Sequence, residues 1–293
     1  MTIRPRHRIL LMPSLLGLDA PLVALGWAMV IARDAALIDS PPSPINVAKL
    51  GVLFFGVWSL YLFDRIHDSF HVEISTNTPL RHQFGLKHRV SLIFVAIGAA
   101  VIAALLLAQI DDHQFFSRGF FIAAITAGYF AVFRFLKRSQ ARQSPKFPGK
   151  EVTIALCFTA GIFLCSETSP FQNSAGVLSL GLVFLFLANC LTISQAESDF
   201  DRSHDSQAFF SHRSHSDFLL IALTVAGLVI GTALLIDRKL VISACALILS
   251  STILLLTLLR MGNNPMMVQA KADGALLVPW TFLISSYLLS HLS

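Results

Sequence analysis

Nine apolar stretches, each close to the roughly 20 helical residues that cross a hydrocarbon core, limit what this chain can become. They fall near residues 10–32, 46–64, 88–110, 116–136, 151–167, 174–197, 217–236, 239–259 and 272–291. The fifth is the shortest, and Pro13, Asp19 and Pro21 interrupt the first. Lipid offers backbone groups no hydrogen-bond partner, so only helices or closed barrels span it. Continuous runs of Leu, Ile, Phe and Ala lack the alternation of a barrel strand. The expected fold is therefore all-α. It is a polytopic membrane helical bundle of nine transmembrane helices, a single domain over residues 1–293 set in a lipid bilayer. Only 13% of the residues are charged and 55% are apolar, against about a quarter charged in soluble domains.

The 22 Lys and Arg residues are distributed unevenly among the connections. Most lie at the start of the chain and in the loops after the second, fourth, sixth and eighth stretches. Arg33, Lys49, Arg118, Arg238 and Lys239 are the exceptions. Basic loops stay cytoplasmic, so the N-terminus and those four loops are expected inside, with the C-terminus across an inner or plasma membrane. The formal net charge of +5 reflects this bias and does not indicate nucleic-acid binding. Arg4 to Arg8 precede the first apolar run as in a signal peptide, but that run lacks a small-x-small cleavage site and reads as a retained span. The cysteines Cys157, Cys165, Cys190 and Cys245 show no C-x-x-C spacing and read as small buried hydrophobes.

A seven-residue repeat carries the chemistry. Phe63-Asp64-Arg65-Ile66-His67-Asp68-Ser69 returns as Phe200-Asp201-Arg202-Ser203-His204-Asp205-Ser206, 137 residues later and with six of seven positions identical. Each copy stands where an apolar stretch runs out into a polar loop on the expected cytoplasmic side. The interval makes stretches 2–5 and 6–9 two pseudo-repeated four-helix halves, with helix 1 added. Residues four apart share a helix face about 6 Å apart along the axis, so each copy presents a carboxylate pair. Before the second copy the same row holds Asn189, Ile193 and Glu197. Facing carboxylates repel unless a cation neutralises them. Hard oxygen donors suit Mg²⁺, which completes its shell with waters and substrate phosphate. Diphosphate is the leaving group of prenyl transfer, and neutralising its developing charge lowers the barrier to C–O cleavage. Basic residues expected near the cytoplasmic mouth would serve the same end, and Arg65, Arg81, Arg202, Arg213 and Lys150 are available. Tyr61, Tyr129, Phe133 and Phe158 are candidates to face an allylic cation, or otherwise are packing residues.

The chain resembles the UbiA-type intramembrane prenyltransferase superfamily, whose members have nine transmembrane helices and aspartate-rich motifs after helices 2 and 6. The family's N-x-x-x-D-x-x-x-D motif is matched at Asp64 and Asp68, with Leu60 in the place of the asparagine. Its second motif, D-x-x-x-D, is matched at Asp201 and Asp205, with Glu197 extending the row. A Tyr-Pro-x-x-Lys-Arg segment opening helix 5 is similar to Phe147-Pro148-Gly149-Lys150-Glu151 with a one-residue gap, Glu151 standing for the arginine. The resemblance implies that Asp64, Asp68, Asp201 and Asp205 hold Mg²⁺ and that Lys150 contacts diphosphate. Arg65, Arg81, Arg202, Glu197 and Tyr129 are the candidate substrate-binding residues beside them. The partners would be a prenyl diphosphate and a lipophilic or aromatic acceptor. The departures at Leu60 and Glu151 set this chain apart from the quinone, haem and chlorophyll branches.

Three other functions fit parts of the pattern. A terpene cyclase on the same scaffold would ionise the same substrate and trap the cation internally. A divalent-cation transporter or binding protein would use the acids without a diphosphate, but transporters place polar ligands near the bilayer midplane, whereas these acids cluster at one interface. His67-x-x-x-His71 and His212-x-x-His215 suggest a membrane di-iron oxidase or desaturase; such enzymes also need an adjacent His-His pair, and the chain contains none.

Overall fold

The computed structural model describes residues 13–38, 46–70, 80–139, 148–168, 173–198, 217–238, 240–260 and 265–292. These residues are helical, with no strand among them. In chain order the helices are α1 (Asp19–Ile38), α2 (Val47–Ser69), α3 (Leu80–Lys87), α4 (Arg89–Leu107), α5 (His113–Ser139), α6 (Gly149–Cys165), α7 (Asn173–Ala196), α8 (Asp217–Asp237), α9 (Val241–Leu259), α10 (Pro265–Leu276) and α11 (Val278–Leu292). Six of them, α1, α2, α4, α7, α8 and α9, are long and apolar enough to cross a membrane, and α10 with α11 adds a seventh if that pair, bent by 44°, acts as one span. Each of the nine expected stretches lies wholly or largely on one of these helices or on that pair.

The surfaces of these helices suit lipid. Of the 19 residues of α4, only Leu92, Ala96 and Ala99 are buried, a single narrow stripe. Phe94 is 72% exposed, Phe120 76% and Phe218 83%. Large apolar side chains presented outward in such numbers are unfavourable in water and indifferent or favourable in hydrocarbon. The chain has the helices of an integral membrane protein.

The first stretch differs in detail from its expected bounds. Pro13 and Gly17 give a turn, with Leu18 N–H donating to Pro13 O at 2.8 Å and Gly17 N–H to Ser14 O at 3.2 Å, and α1 begins only at Asp19. Gly17 has φ +68°, a left-handed conformation that costs glycine nothing. A Cβ there would also stand 2.9 Å from the Tyr61 ring. Asp19 is thus a first-turn acid rather than a mid-span one, and its carboxyl accepts the Ala20 N–H at 3.0 Å.

The chain forms two compact units. The first comprises residues up to Leu25 together with Val47–Ile110. Its core is Leu62 and Ile66 of α2 against Leu92 and Ala96 of α4, with Trp58, Phe84 and Ile93 around them. Ser59 Oγ donates across this seam to Ala96 O at 3.1 Å. The turn before α1 is tied to α2 by Trp58 Nε1, which donates to Leu16 O at 3.1 Å, and by Arg65, which donates to Leu15 O at 3.0 Å.

The second unit comprises Gly26–Asn46 and Asp111–Ser293. In it α7 packs against α6, α8, α9 and α10, and α5 packs on α6. This is why α5 groups with the helices that follow it, although the sequence repeat divides the chain between its fifth and sixth stretches. Leu191 and Leu220 join α7 to α8, supported by Leu187, Leu223 and Leu258. Gly231 of α8 lets α9 approach closely: a Cβ would lie 2.7 Å from Ile248 and 3.3 Å from the backbone oxygen of Ala244. From α1, Asp34 reaches the beginning of α9, accepting the N–H groups of Ile242 at 3.2 Å and Ser243 at 2.7 Å.

Candidate functional site

The first acidic copy lies on the last two turns of α2. Asp64 is half-buried there, and Asp68 follows one turn later in the same helix. Leu60, which stands where the family motif has asparagine, is 46% exposed one turn before Asp64. The basic residue between the two acids has a local task. Beyond its bond to Leu15 O, the Arg65 guanidinium sits over the Tyr61 ring, 4.9 Å from its centroid. Arg65 therefore braces the turn before α1, an assignment that the sequence did not suggest. Arg89 closes the helix end. Its Nε donates to Ser69 Oγ at 3.0 Å, another N–H to Ser69 O at 2.6 Å, and its plane covers Phe70 at 4.2 Å. Two donors and a stacking face on one side chain fix the end of α2 and, through it, the direction of the acidic turn. Arg81 is on the short helix α3.

The second copy, Asp201, Arg202 and Asp205, lies outside the described residues. The helix that leads to it is described in full: α7 runs to Ala196, and Glu197 continues its backbone bonding by donating to Ile193 O at 3.0 Å. Glu197 is 4% exposed. Near it Gln195 Nε2 donates to Asp217 Oδ1 at 3.0 Å, linking the last turn of α7 to the first of α8.

A further polar cluster occupies the second unit. Asn189 of α7 donates through Nδ2 to Asp273 Oδ1 of α10 at 3.3 Å. Gln269 is one turn before Asp273 on the same face of α10 and, like Asn189, is 6% exposed. Glu151, in the first turn of α6, is 4% exposed. α6, which carries Lys150 and Glu151 in its first turn, and α10, which carries Asp273, both pack against α7. Lys150, expected at a diphosphate, is half-buried in the first turn of α6. Beside this cluster Phe158 of α6 packs edge-on against Phe186 of α7, with ring centroids 4.9 Å apart. Tyr129 is half-buried on α5. Asp273 and Gln269 went unmarked in the sequence. An acid near the start of an apolar stretch was the available signal for the first, and nothing marked the second.

Among the described residues no group of three or more His, Cys, Asp and Glu side chains is arranged to hold a metal ion. Of the four aspartates assigned to Mg²⁺, the side chain of Asp64 alone is described. Comparisons with protein-family models, with characterised proteins and with solved structures give no match.

Proposed function

We propose that this protein is an intramembrane prenyltransferase of the UbiA type, moving a prenyl group from a prenyl diphosphate to a lipophilic or aromatic acceptor. The carrying observation is the repeated F-D-R-x-H-D-S segment. Its first copy ends the membrane-length helix α2, and its second begins three residues after Glu197 extends the membrane-length helix α7. The nine-span topology belongs to this reading: the six single spans and the bent pair make seven, and α5, with 27 residues, and α6, with 17, supply the others.

In this reading Asp64, Asp68, Asp201 and Asp205 hold Mg²⁺, and four hard carboxylates are a donor set that suits it. Held there, the ion would supply positive charge to offset that of the departing diphosphate. The chain's own residues do the rest. Arg89 and Arg65 fix the end of α2 that carries Asp64. Arg81, Arg202 and Lys150 supply positive charge for the diphosphate oxygens. Glu197 supplies a buried carboxylate one turn from Asp201 in sequence. The apolar helices accept the isoprenoid tail, and the acidic turns face the cytoplasm, where soluble diphosphates are available.

The test is to incubate membranes containing the protein with Mg²⁺ and a panel of labelled prenyl diphosphates, following diphosphate release and prenylated products. Asp64→Asn and Asp201→Asn should each abolish release. Unchanged turnover in both variants would reject the assignment.

A further inference from the structure

We propose that Gln195 and Asp217 are a positioning pair, a clasp that fixes both ends of the segment carrying the second acidic copy. Gln195 is 4% exposed on the last turn of α7, and its Nε2 donates to Asp217 Oδ1 at 3.0 Å. An ionised carboxylate only accepts, so this bond settles which way the amide is turned. Its Oε1 is left buried without a hydrogen bond. A half-satisfied amide in an apolar seam is costly. Leucine, fully buried one turn earlier at Leu191, carries no such cost. What the glutamine adds is the link.

The link ends a seam that keeps one register along its length. Between α7 and α8, Ser174 donates to Asp237, a Cβ on Gly181 would stand 2.9 Å from Ile230, Leu191 packs with Leu220, and Gln195 meets Asp217. The first number of each pair rises as the second falls, so the helices run antiparallel without a slip. The last bond closes them at the base of residues 196–216, which include Asp201 and Asp205. Burial continues past that bond, with Glu197 and Ser198 each 4% exposed. In the other unit α2 and α4 make the same kind of pair, Gly51 facing Leu106, Ser59 bonded to Ala96 and Ser69 to Arg89. Its closing tie spans 20 residues, and the one between Gln195 and Asp217 spans 22. Bringing the ends of a segment together restricts the conformations left to it, and a displacement of about 1 Å is enough to slow a reaction severely. That the held acids serve a diphosphate rests on the function proposed above; the clasp itself does not.

The test compares the full-length protein in detergent with Gln195→Leu, with Gln195→Glu, and with a double variant that joins Gln195→Glu to Asp217→Asn. Gln195→Glu sets two carboxylates together. The double variant restores an N–H to oxygen bond with the same side-chain sizes and the same net charge. Amide hydrogen exchange of residues 197–206 should quicken about fivefold in both single variants, the worth of one such bond, and return to the wild-type rate in the double variant. In membranes with the labelled prenyl diphosphates, the Mg²⁺ concentration for half-maximal diphosphate release should rise about fivefold in the single variants and recover in the double. If Gln195→Glu loses its helicity, Gln195→Leu gives the reading. Wild-type exchange in Gln195→Leu, or no recovery in the double variant, overturns the clasp. Altered exchange with unaltered Mg²⁺ dependence overturns its part in the reaction. A wild type that turns over no prenyl diphosphate removes the proposed function alone, because exchange is measured with neither metal nor substrate.

Discussion

Replacing Asp34 with alanine should loosen the start of α9 and cost the fold about 2–4 kcal/mol. Helix starts leave N–H groups without intrahelical acceptors. The residue that precedes α9, Leu240, has no side-chain oxygen to offer. Asp34 does that work from a helix about two hundred positions earlier in sequence, accepting from Ile242 at 3.2 Å and Ser243 at 2.7 Å while itself only 2% exposed. Truncation leaves two N–H groups in surroundings that exclude water, at about 1–3 kcal/mol each. Relief from burying the carboxyl offsets part of this, which gives the range stated. Asparagine, with one accepting oxygen instead of two, should lose roughly half as much. The measurement is equilibrium unfolding in detergent together with hydrogen exchange of residues 240–246. Exchange should accelerate there and not at the far end of α9. A loss under about 0.5 kcal/mol in Asp34→Ala, with exchange unchanged, would refute the capping argument.

Arg89→Lys should lower stability by about 1–2 kcal/mol, because an ammonium cannot serve both Ser69 oxygens while covering Phe70; denaturant titration in micelles reads the change. Gly17→Ala should cost about 1–3 kcal/mol from the left-handed φ and the close Tyr61 ring, with thermal unfolding as the measurement. Arg238, exposed just after α8 at φ +57°, is the opposite case: Arg238→Gly should stabilise by about 0.5–1 kcal/mol, and a lowered melting temperature would contradict that.

The expected positions of the helices were legible because each apolar stretch is a local property. The turn before α1 was less legible. Pro13 and Pro21 bracketed it, but the positive φ of Gly17 and its place against Tyr61 depend on how α2 packs. Arg65 shows the same limit more sharply. Its position between two aspartates marked it for substrate, and the fold also gives it Leu15 O and the Tyr61 ring. Lys150 was marked for diphosphate by its neighbours in sequence, and the structure leaves it half-buried in the first turn of α6.

What the sequence determined alone was the material of the fold: helices, their length, their apolar skin and a doubled acidic heptapeptide. Each follows from side chains that act on their own few turns of backbone or on the surrounding solvent. Tertiary structure decided the partnerships between distant polar residues, Asp34 with the start of α9, Asn189 with Asp273, and Gln195 with Asp217. Within an apolar bundle such groups must find one another, because neither lipid nor a neighbouring leucine can replace the hydrogen bonds that water would have made. Which groups meet depends on helix rotation and register, and these are set by packing across the whole bundle.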